Sequence, residues 1–345
     1  MRAVILKGYG GLDNVALGDV PRPAIEQPTD VVVAMKAAAL NHLDLFVVGG
    51  LPGITHAFPF ILGGDGAGVV EAVGSAVRRV KPGDRVLINP GIWCGRCEFC
   101  MAGEQSLCQS YSLLGEHLPG TLAEAAKVPE ANVHLLPAHT DFPEASAYAL
   151  AFLTAWRMLM TRARLQPQET VLVWGIGGGV ALAALAIAKQ AGARVIVTSG
   201  SDDKLAKAKA LGADEVINHR TADVAKEVRR LTNRRGAEVV VDSIGTETWE
   251  TSLKALARTG RLVTCGGTSG PMVTTDVRRL FWHQYTIMGS TMGNAREMEA
   301  VLGLLHRGAL KAVVDSVVPF GEARSAFERM QRGGQFGKIV VAIDR

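Results

Sequence analysis

Residues 171–181 read VLVWGIGGGVA, an apolar run that meets a cluster of glycines and then turns apolar again. The run predicts a short buried strand, and the glycines predict a tight turn that opens a helix. Without side chains in the way, backbone N–H groups of such a turn can approach the pyrophosphate of a dinucleotide. The pattern G-x-G-x-x-G is not met, whereas G-x-x-G-x-x-A is, and a glycine turn without a ligand is the alternative. The residues expected to bind the cofactor are Gly175, Gly178, Gly179 and Val180.

The chain around this turn alternates apolar strands with helical stretches, which predicts βαβ units on a parallel sheet. The predicted strands lie at 170–174, 194–198, 215–217, 238–242, 260–265 and 285–289. The predicted helices run from the glycine turn to about 192 and at 203–211, 224–231 and 248–256. Six strands fit a doubly wound dinucleotide-binding fold, and the strand within 284–290 should end the sheet.

Both ends of the chain differ from this middle part. The first part contains many prolines and short strands, as in a small barrel with many loops. The last fifty residues mix predicted helices at 296–305 and 321–331 with predicted strands at 316–319 and 338–343. We therefore expect an α/β protein with a catalytic domain at 1–153 and 293–345 and an inserted nucleotide-binding domain at 154–292.

Composition excludes several classes of protein. Apolar residues make up 48% of the 345 residues and charged residues 20%, which excludes a disordered chain. The net charge of +4 is too small to indicate a nucleic-acid partner. Residues 171–188 are uncharged and approach membrane-spanning length, but glycines interrupt them. No stretch is typical of a targeting signal, so we expect a soluble, cytoplasmic protein without a membrane partner.

Four of the five cysteines lie within fifteen residues, in a lobe at about 91–110. They follow the pattern C-x2-C-x2-C-x7-C. Four thiolates this close together can hold one tetrahedral Zn²⁺ and leave no position for substrate, so we expect one structural zinc per chain. An iron–sulfur cluster and disulfides are the alternatives. The expected ligands are Cys94, Cys97, Cys100 and Cys108.

The residue at the end of the next strand bears on the choice of cofactor. NAD-binding proteins usually place an acidic residue there to hold the ribose 2′-hydroxyl, whereas this chain has Ser199. A serine does not repel a 2′-phosphate, and Lys204 can pair with one. Asp202 and Asp203 argue the other way. On balance the sequence predicts NADP(H) rather than NAD(H).

With the cysteine lobe and the glycine turn established, the chain resembles the medium-chain dehydrogenase/reductase superfamily nearly from end to end. The resemblance also rests on GGDGAGVV at 63–70, KPGDRV at 81–86 and ALGAD at 210–214. It implies a GroES-like β-barrel catalytic domain and a Rossmann domain. The superfamily contains both zinc alcohol dehydrogenases and zinc-free quinone or enone reductases.

The zinc alcohol dehydrogenases of this superfamily hold a catalytic ion with a Cys, a His and a second Cys. The matching positions here carry Asn41, Gly64 and Leu150, which do not hold Zn²⁺. The proton relay of those enzymes would begin at Leu43 and continue at Phe46, and both are apolar. The chain is therefore similar to the quinone oxidoreductase and enone reductase branch, although it keeps the structural zinc lobe.

The resemblance also implies roles for single residues. Asn41 is expected to donate a hydrogen bond to the substrate oxygen, and Asp44 either orients it or caps a helix. In relatives the edge strand pairs across a two-fold axis, which implies a homodimer or homotetramer. The remaining positions implied to contact the cofactor are His42, Thr154, His219, Gly266, Gly267 and Lys338.

These observations together predict an enzyme with a small-molecule substrate. We expect NADPH to deliver hydride to a quinone or to the β-carbon of an α,β-unsaturated carbonyl, which is already polarised and needs a donor at its oxygen more than a metal. Three alternatives stay open. They are a reductase of unsaturated acyl-CoA thioesters, a zinc-type alcohol dehydrogenase with unusual ligands, and an NADPH-binding protein without catalytic activity.

Overall fold

A computed structural model describes residues 1–343. The chain divides into two compact units. Unit 1 comprises Met1–Leu150 and the chain from Asn294 onward, and unit 2 comprises Ala151–Gly293. Both ends of the sequence thus contribute to one unit.

The strands of the described residues are, in chain order, β1 Arg2–Leu6, β2 Val15–Asp19, β3 Asp30–Ala39, β4 Phe60–Ile61, β5 Asp65–Val73, β6 Arg85–Ile88, β7 Gly91–Ile92, β8 Ser112–Leu113, β9 Ala125–Pro129, β10 Val133–Leu135, β11 Thr170–Val173, β12 Arg194–Ser199, β13 Glu215–Asn218, β14 Ala237–Asp242, β15 Leu256–Thr264, β16 Thr286–Gly289, β17 Val314–Pro319 and β18 Lys338–Ala342.

The helices are α1 His42–Gly49, α2 Glu98–Met101, α3 Phe142–Ser146, α4 Ala149–Trp156, α5 Gly179–Gln190, α6 Asp202–Ala210, α7 Val224–Leu231, α8 Trp249–Ala255, α9 Val277–His283, α10 Ala295–His306 and α11 Ala323–Gln331. A π-helical segment, Arg157–Arg162, continues α4.

Unit 2 contains a six-stranded sheet that is parallel throughout, in the order β13-β12-β11-β14-β15-β16. Leu172 of β11 lies opposite Ile196 on one side and Val240 on the other, and all three are fully buried. Strands buried in this way are expected to read as continuous apolar runs. The prediction of a doubly wound sheet is confirmed, including β16 as an edge strand.

The predicted bounds of one strand differ from the structure. The sequence predicts a strand at 260–265, whereas β15 begins at Leu256. Its pairing with β14 shifts register between Ala237 and Val239, and Thr259 has a φ of 59°. The sequence does not predict the first half of β15, because a bulge interrupts the alternation of side chains along a strand.

Unit 1 is built on a sheet in the order β10-β6-β5-β3-β18-β17, with β9 also paired to β3, and on a three-stranded sheet, β2-β1-β4. The last strand of the chain, β18, pairs antiparallel with β3, so that Val340 lies opposite Ala39. Ala39 also lies opposite Asp65, the first residue of β5. The chain's two ends therefore complete one sheet, as expected for the GroES-like domain.

Among the described residues, no helix has the length and apolar character needed to cross a membrane. The uncharged stretch 171–188 instead forms the buried strand β11, the glycine turn and most of helix α5.

Candidate functional site

The register of the unit 1 sheet brings three distant polar residues together. Ala39 ends β3 between Asp65 of β5 and Val340 of β18. Asn41 lies two residues beyond the end of β3, and Lys338 lies two residues before Val340 on the antiparallel β18. The main chain continues this pairing, since the Leu40 N–H donates to the carbonyl of Ile339 at 2.9 Å. Asn41, Lys338 and Asp65 thus meet at one end of the sheet.

These three side chains form a closed set of hydrogen bonds. The Lys338 ammonium donates to Asp65 Oδ2 at 2.9 Å and to Asn41 Oδ1 at 2.5 Å. Asn41 Nδ2 donates to the same Asp65 oxygen at 3.0 Å. The other oxygen of Asp65 accepts from the Leu150 N–H at 2.8 Å. Asp65 is 0% exposed and Lys338 is 4% exposed, so this ion pair is buried.

The three positions that match the metal ligands of zinc alcohol dehydrogenases lie around this ion pair. Asn41 and the Leu150 main chain both donate to Asp65, and Gly64 directly precedes Asp65. A Cβ atom on Gly64 would lie 3.5 Å from Leu150 Cδ1, so the leucine fills the adjoining space. Zinc needs thiolate, imidazole or carboxylate donors. An amide, an alkyl chain and an ammonium beside the Asp65 carboxylate do not fit a catalytic zinc ion.

Asp44 both caps helix α1 and holds Asn41 in place. Its Oδ2 accepts from the Asn41 N–H at 2.7 Å, and its Oδ1 accepts from the Gly63 N–H at 3.1 Å. The carboxyl is 2% exposed, and burial raises the pKa of Asp44 to about 6 despite these two N–H donors. The hydrogen bond to the Asn41 N–H closes the capping box of α1 and fixes the main chain at Asn41.

His42 is the first residue of α1, next to Asn41. Partial desolvation and the Lys338 ammonium hold the pKa of His42 below its usual value. Its imidazole is therefore mostly uncharged at pH 7.

The cysteine lobe of unit 1 has the geometry of a metal site. The sulfurs of Cys94, Cys97, Cys100 and Cys108 all lie within 4.8 Å of one another, and those of Cys94 and Cys100 are 4.0 Å apart. A zinc ion with Zn–S bonds of about 2.3 Å requires sulfurs about 3.8 Å apart. Within the part of the chain that the structure describes, no other His, Cys, Asp or Glu cluster has this arrangement.

Backbone N–H groups point at these sulfurs and lower the pKa of Cys94 and Cys97, whereas burial raises the pKa of Cys100 to about 12. Cys94 N–H donates to Cys108 Sγ at 3.3 Å, and Cys97 N–H donates to Cys94 Sγ at 3.4 Å. Backbone N–H groups of Cys100 and Gln109 lower the pKa of Cys97 to about 6. Because zinc binds the thiolate, the lobe fits a structural zinc ion.

In unit 2, the glycine turn lies between β11 and α5, as predicted. Gly175 has a φ of 67° and Gly177 a φ of 127°, which favour glycine. Gly178 is the N-cap of α5 and supplies no capping side chain, and Gly179 and Val180 form the first turn. The N-terminal N–H groups of α5 therefore lack a side-chain cap, and such groups fit a pyrophosphate.

Ser199 ends β12 at the same edge of the sheet. It is 5% exposed, and its Oγ accepts from the Ser201 N–H at 3.2 Å. Ser201 in turn caps α6 by accepting from the Lys204 N–H, which fixes the start of that helix near Ser199. Asp202 is already engaged, because its Oδ1 accepts from Asn218 Nδ2 at 2.7 Å.

Arg220 also lies at this edge of the sheet, beside Gly200, and the sequence did not predict it. A Cβ atom on Gly200 would lie 2.6 Å from Arg220 Nε and 3.0 Å from His219 Nε2, so both side chains cover that glycine. Burial, and after it the positive charge of Arg220, lowers the pKa of His219. Its position in the sequence could have indicated Arg220, because this residue follows β13, the strand next to β12.

Two further predicted positions lie in unit 2. Thr154 is 5% exposed, and its hydroxyl contacts Met292 Sδ at 3.6 Å. Gly266 and Gly267 follow β15 at the carboxyl edge of the sheet, where the Thr264 hydroxyl donates to the carbonyl of Gly266 at 3.0 Å. The turn, Ser199, His219 and these glycines all lie at the carboxyl ends of parallel strands, where open α/β sheets bind ligands.

Known proteins resemble this chain over its whole length. The family described as "Alcohol dehydrogenase GroES-like domain" matches residues 27–138, and "Zinc-binding dehydrogenase" matches residues 179–307. A zinc-type alcohol dehydrogenase-like protein of Schizosaccharomyces pombe is 31% identical, over 100% of this chain and 99% of that protein. A quinone oxidoreductase of Pseudomonas aeruginosa is 32% identical over 96% of this chain and 97% of its own length.

Among solved structures, a crystal structure of an NAD-dependent alcohol dehydrogenase covers 100% of both chains with 45% identity and a TM-score of 0.96. The relatives thus carry names of both alcohol dehydrogenases and quinone oxidoreductases. Together with the fold, these matches show that this chain belongs to the medium-chain dehydrogenase/reductase superfamily and is an NAD(P)H-dependent oxidoreductase.

Proposed function

We propose that this oxidoreductase uses NADPH to reduce a quinone or an α,β-unsaturated carbonyl compound without a catalytic metal ion. The observation that carries the proposal is the buried Lys338–Asp65 ion pair, bonded to Asn41 at the positions where related alcohol dehydrogenases would hold zinc. This donor set does not suit zinc. Oxidation of an alcohol needs its hydroxyl proton removed, which zinc assists in relatives, whereas a polarised double bond needs only a donor at its oxygen.

The residues of unit 1 then act on the substrate oxygen. When bound, the reduced nicotinamide supplies hydride to the electron-poor carbon. Asn41 donates an amide N–H to the oxygen, where negative charge develops. Asp44 holds the Asn41 main chain. Water supplies the proton that accompanies the hydride, at the α-carbon of an unsaturated carbonyl or at an oxygen of a quinone.

The surroundings of Ser199 support NADP(H) as the cofactor. Ser199 brings no negative charge to the end of β12, and Arg220 brings a guanidinium that can pair with a 2′-phosphate. The Asp202 carboxylate keeps its charge while it accepts from Asn218, so the support for NADP(H) rests on Ser199 and Arg220. The 45% identical crystal structure is called NAD-dependent, so kcat/KM is to be measured with both NADPH and NADH. A preference for NADH would overturn this assignment.

One panel of substrates tests the reaction. NADPH oxidation is followed at 340 nm with a quinone, a 2-alkenal, an acryloyl thioester and a saturated aldehyde. We expect turnover of the first two, unaffected by a chelator that leaves the structural zinc in place. Preferred turnover of the thioester indicates an acyl-CoA reductase, and tight NADPH binding without any turnover indicates a non-catalytic protein. Metal-dependent oxidation of ethanol would contradict the proposal.

We also infer that the chain forms a homodimer or a dimer of dimers through unit 2. Strand β16 is an edge of the parallel sheet, and the helix before it, α9, exposes three large apolar side chains beside Arg278. Val277 and Phe281 are each 63% exposed and Trp282 is 68% exposed. Large exposed apolar side chains next to an unpaired strand edge favour association with a second copy.

A further inference from the structure

The contacts of Asn41 fix which way its amide points. An ammonium can only donate hydrogen bonds and a carboxylate can only accept them. The amide oxygen therefore faces Lys338, at 2.5 Å, and the amide nitrogen faces Asp65, at 3.0 Å. In the reverse orientation the amide N–H groups would face the Lys338 ammonium, which is a donor, and the amide oxygen would face the Asp65 carboxylate, which is an acceptor. The orientation of the group proposed to bind substrate is thus set by a buried ion pair.

This orientation leaves one amide hydrogen available. The first N–H of Asn41 goes to Asp65. The second has only the carbonyl of Ala39 at 3.5 Å, which is long for a hydrogen bond. Asn41 is also only partly buried, so this N–H can exchange that weak contact for a stronger acceptor.

We propose that Lys338 is a positioning residue of the reaction: its ammonium orients and polarises the Asn41 amide, and this amide then stabilises negative charge on the substrate oxygen. The inference rests on the proposed function and assigns Lys338 a role other than contact with the cofactor. Hydrogen bonds in a chain strengthen one another at low dielectric, so a cation at the amide oxygen makes the amide N–H a better donor.

The charges of the set are consistent with this role. Lys338 and Asp65 compensate each other, so the set of Asn41, Asp65 and Lys338 holds a buried ammonium without a net charge. When hydride adds to the β-carbon, its electron pair forms the new C–H bond there. The π pair of the carbon–carbon double bond becomes a double bond between the α-carbon and the carbonyl carbon, and the π pair of the carbonyl moves onto its oxygen. Asn41 donates its N–H to the negative charge on the substrate oxygen. The oxygen of the same amide already accepts from the Lys338 ammonium. No metal is required for this stabilisation.

A probe without cofactor tests the inference. 4-Nitrophenol changes its absorbance at 400 nm when it ionises, and a site that stabilises an oxyanion lowers the pKa of the bound phenol. We expect this pKa to be at least one unit lower on the wild-type protein than on Lys338→Met or Asn41→Ala. Lys338→Arg, which keeps the charge, should retain most of the shift. Lys338→Met should add nothing in an Asn41→Ala background, because Lys338 acts through Asn41.

Several results would overturn the inference. They are an absence of phenol binding to the wild-type protein, an equal shift in Lys338→Met and wild type, and additive effects of the Lys338 and Asn41 changes. A higher Kd for NADPH in Lys338→Met with an unchanged phenol shift would show that Lys338 serves the cofactor instead. Because Lys338→Met leaves Asp65 unpaired, the variant Lys338→Met/Asp65→Asn, which buries no charge, is measured alongside and should also lose the shift.

The same variants separate this inference from the proposed function. If the wild-type protein reduces quinones or enones, Lys338→Met should lower the single-turnover rate of hydride transfer about tenfold, with little change in the Kd of NADPH. If it reduces neither class but the phenol shift follows Lys338 and Asn41 as described, the proposed reaction is wrong and the oxyanion site stands. If it turns over both classes and the shift is absent, the role of Lys338 is wrong and the reaction stands.

Discussion

At the scale of single residues, two buried carboxyls of unit 1 show how surroundings decide a role. Asp65 has an ammonium partner at 2.9 Å, so its charge is compensated. Asp44 has only backbone N–H donors, and burial raises its pKa to about 6. The first carboxyl belongs to a fixed ion pair, whereas the second titrates near neutral pH and acts on the main chain of Asn41.

Asp44 should make the stability of the protein depend on pH. Its pKa is about 6 when folded and near 3.8 when unfolded, so the folded state binds the extra proton between these values. Its contribution to the free energy of unfolding should therefore fall by about 1 kcal/mol from pH 5 to pH 7.5. Urea unfolding of wild type and Asp44→Asn at both pH values measures this, since other groups cancel in the comparison. Parallel pH dependences would contradict it.

Ser199 and Arg220 should set the preference for NADPH. Ser199→Asp should lower kcat/KM for NADPH at least tenfold and leave that for NADH nearly unchanged, because a carboxylate repels the 2′-phosphate. Arg220→Met should lower kcat/KM for NADPH about tenfold by removing a charge-assisted hydrogen bond. The control is Arg230→Met, since Arg230 pairs with Glu227 on helix α7. Equal losses with both cofactors would show a structural effect instead.

The sequence predicted some of the site residues and missed the contacts of others. Local patterns found the cysteines, the glycine turn and Ser199, because each lies next to its partners along the chain. Lys338 and Asp65 are 273 residues apart, and their contact depends on β18 completing a sheet that β3 began. No local pattern predicts such a register. Arg220 was missed for the same reason, since it covers Gly200 from the turn after the neighbouring strand β13.

At the scale of elements, capping residues explain why most helix bounds were predictable. Ser201 and Asp223 cap α6 and α7 by accepting the N–H of the third residue that follows. Helix α7 occupies the predicted range 224–231, and α6 begins one residue before its predicted start. The bulged β15 was predicted least well. Local chemistry thus marks helix ends better than irregular strands.

The cysteine lobe should behave as a metal-dependent element. Purified protein should contain one zinc per chain, and Cys97→Ser should lower the free energy of unfolding by about 2–4 kcal/mol through loss of the metal. The affinity for NADPH should change little, because the glycine turn belongs to unit 2. Zinc content by mass spectrometry, chemical unfolding and NADPH titration measure these. Cys265→Ser, outside the lobe, is the control and should keep its zinc. Two zinc ions per chain would contradict the assignment of Asn41, Gly64 and Leu150.

At the scale of the whole molecule, the two ends of the chain form one unit and the middle forms the other. The polar set of Asn41, Asp65 and Lys338 lies entirely in unit 1, and the glycine turn, Ser199 and Arg220 lie entirely in unit 2. The chemistry proposed for the substrate oxygen and the recognition of the cofactor are therefore separable by mutation. Unit 2 carries, in addition, the apolar surface of α9.

This surface should hold the oligomer together. The double change Phe281→Glu/Trp282→Glu places two charges on residues 63% and 68% exposed in the single chain, so the fold should tolerate it. It should weaken self-association at least about 100-fold, because large aromatic residues supply most of the binding energy of an interface. Sedimentation velocity at micromolar concentration should show a dimer or tetramer for wild type and a smaller species for the variant. Leu211→Glu, also exposed in unit 2 but beyond the end of α6, should sediment as wild type. A monomeric wild type, or an unchanged double variant, would show that α9 is not the contact.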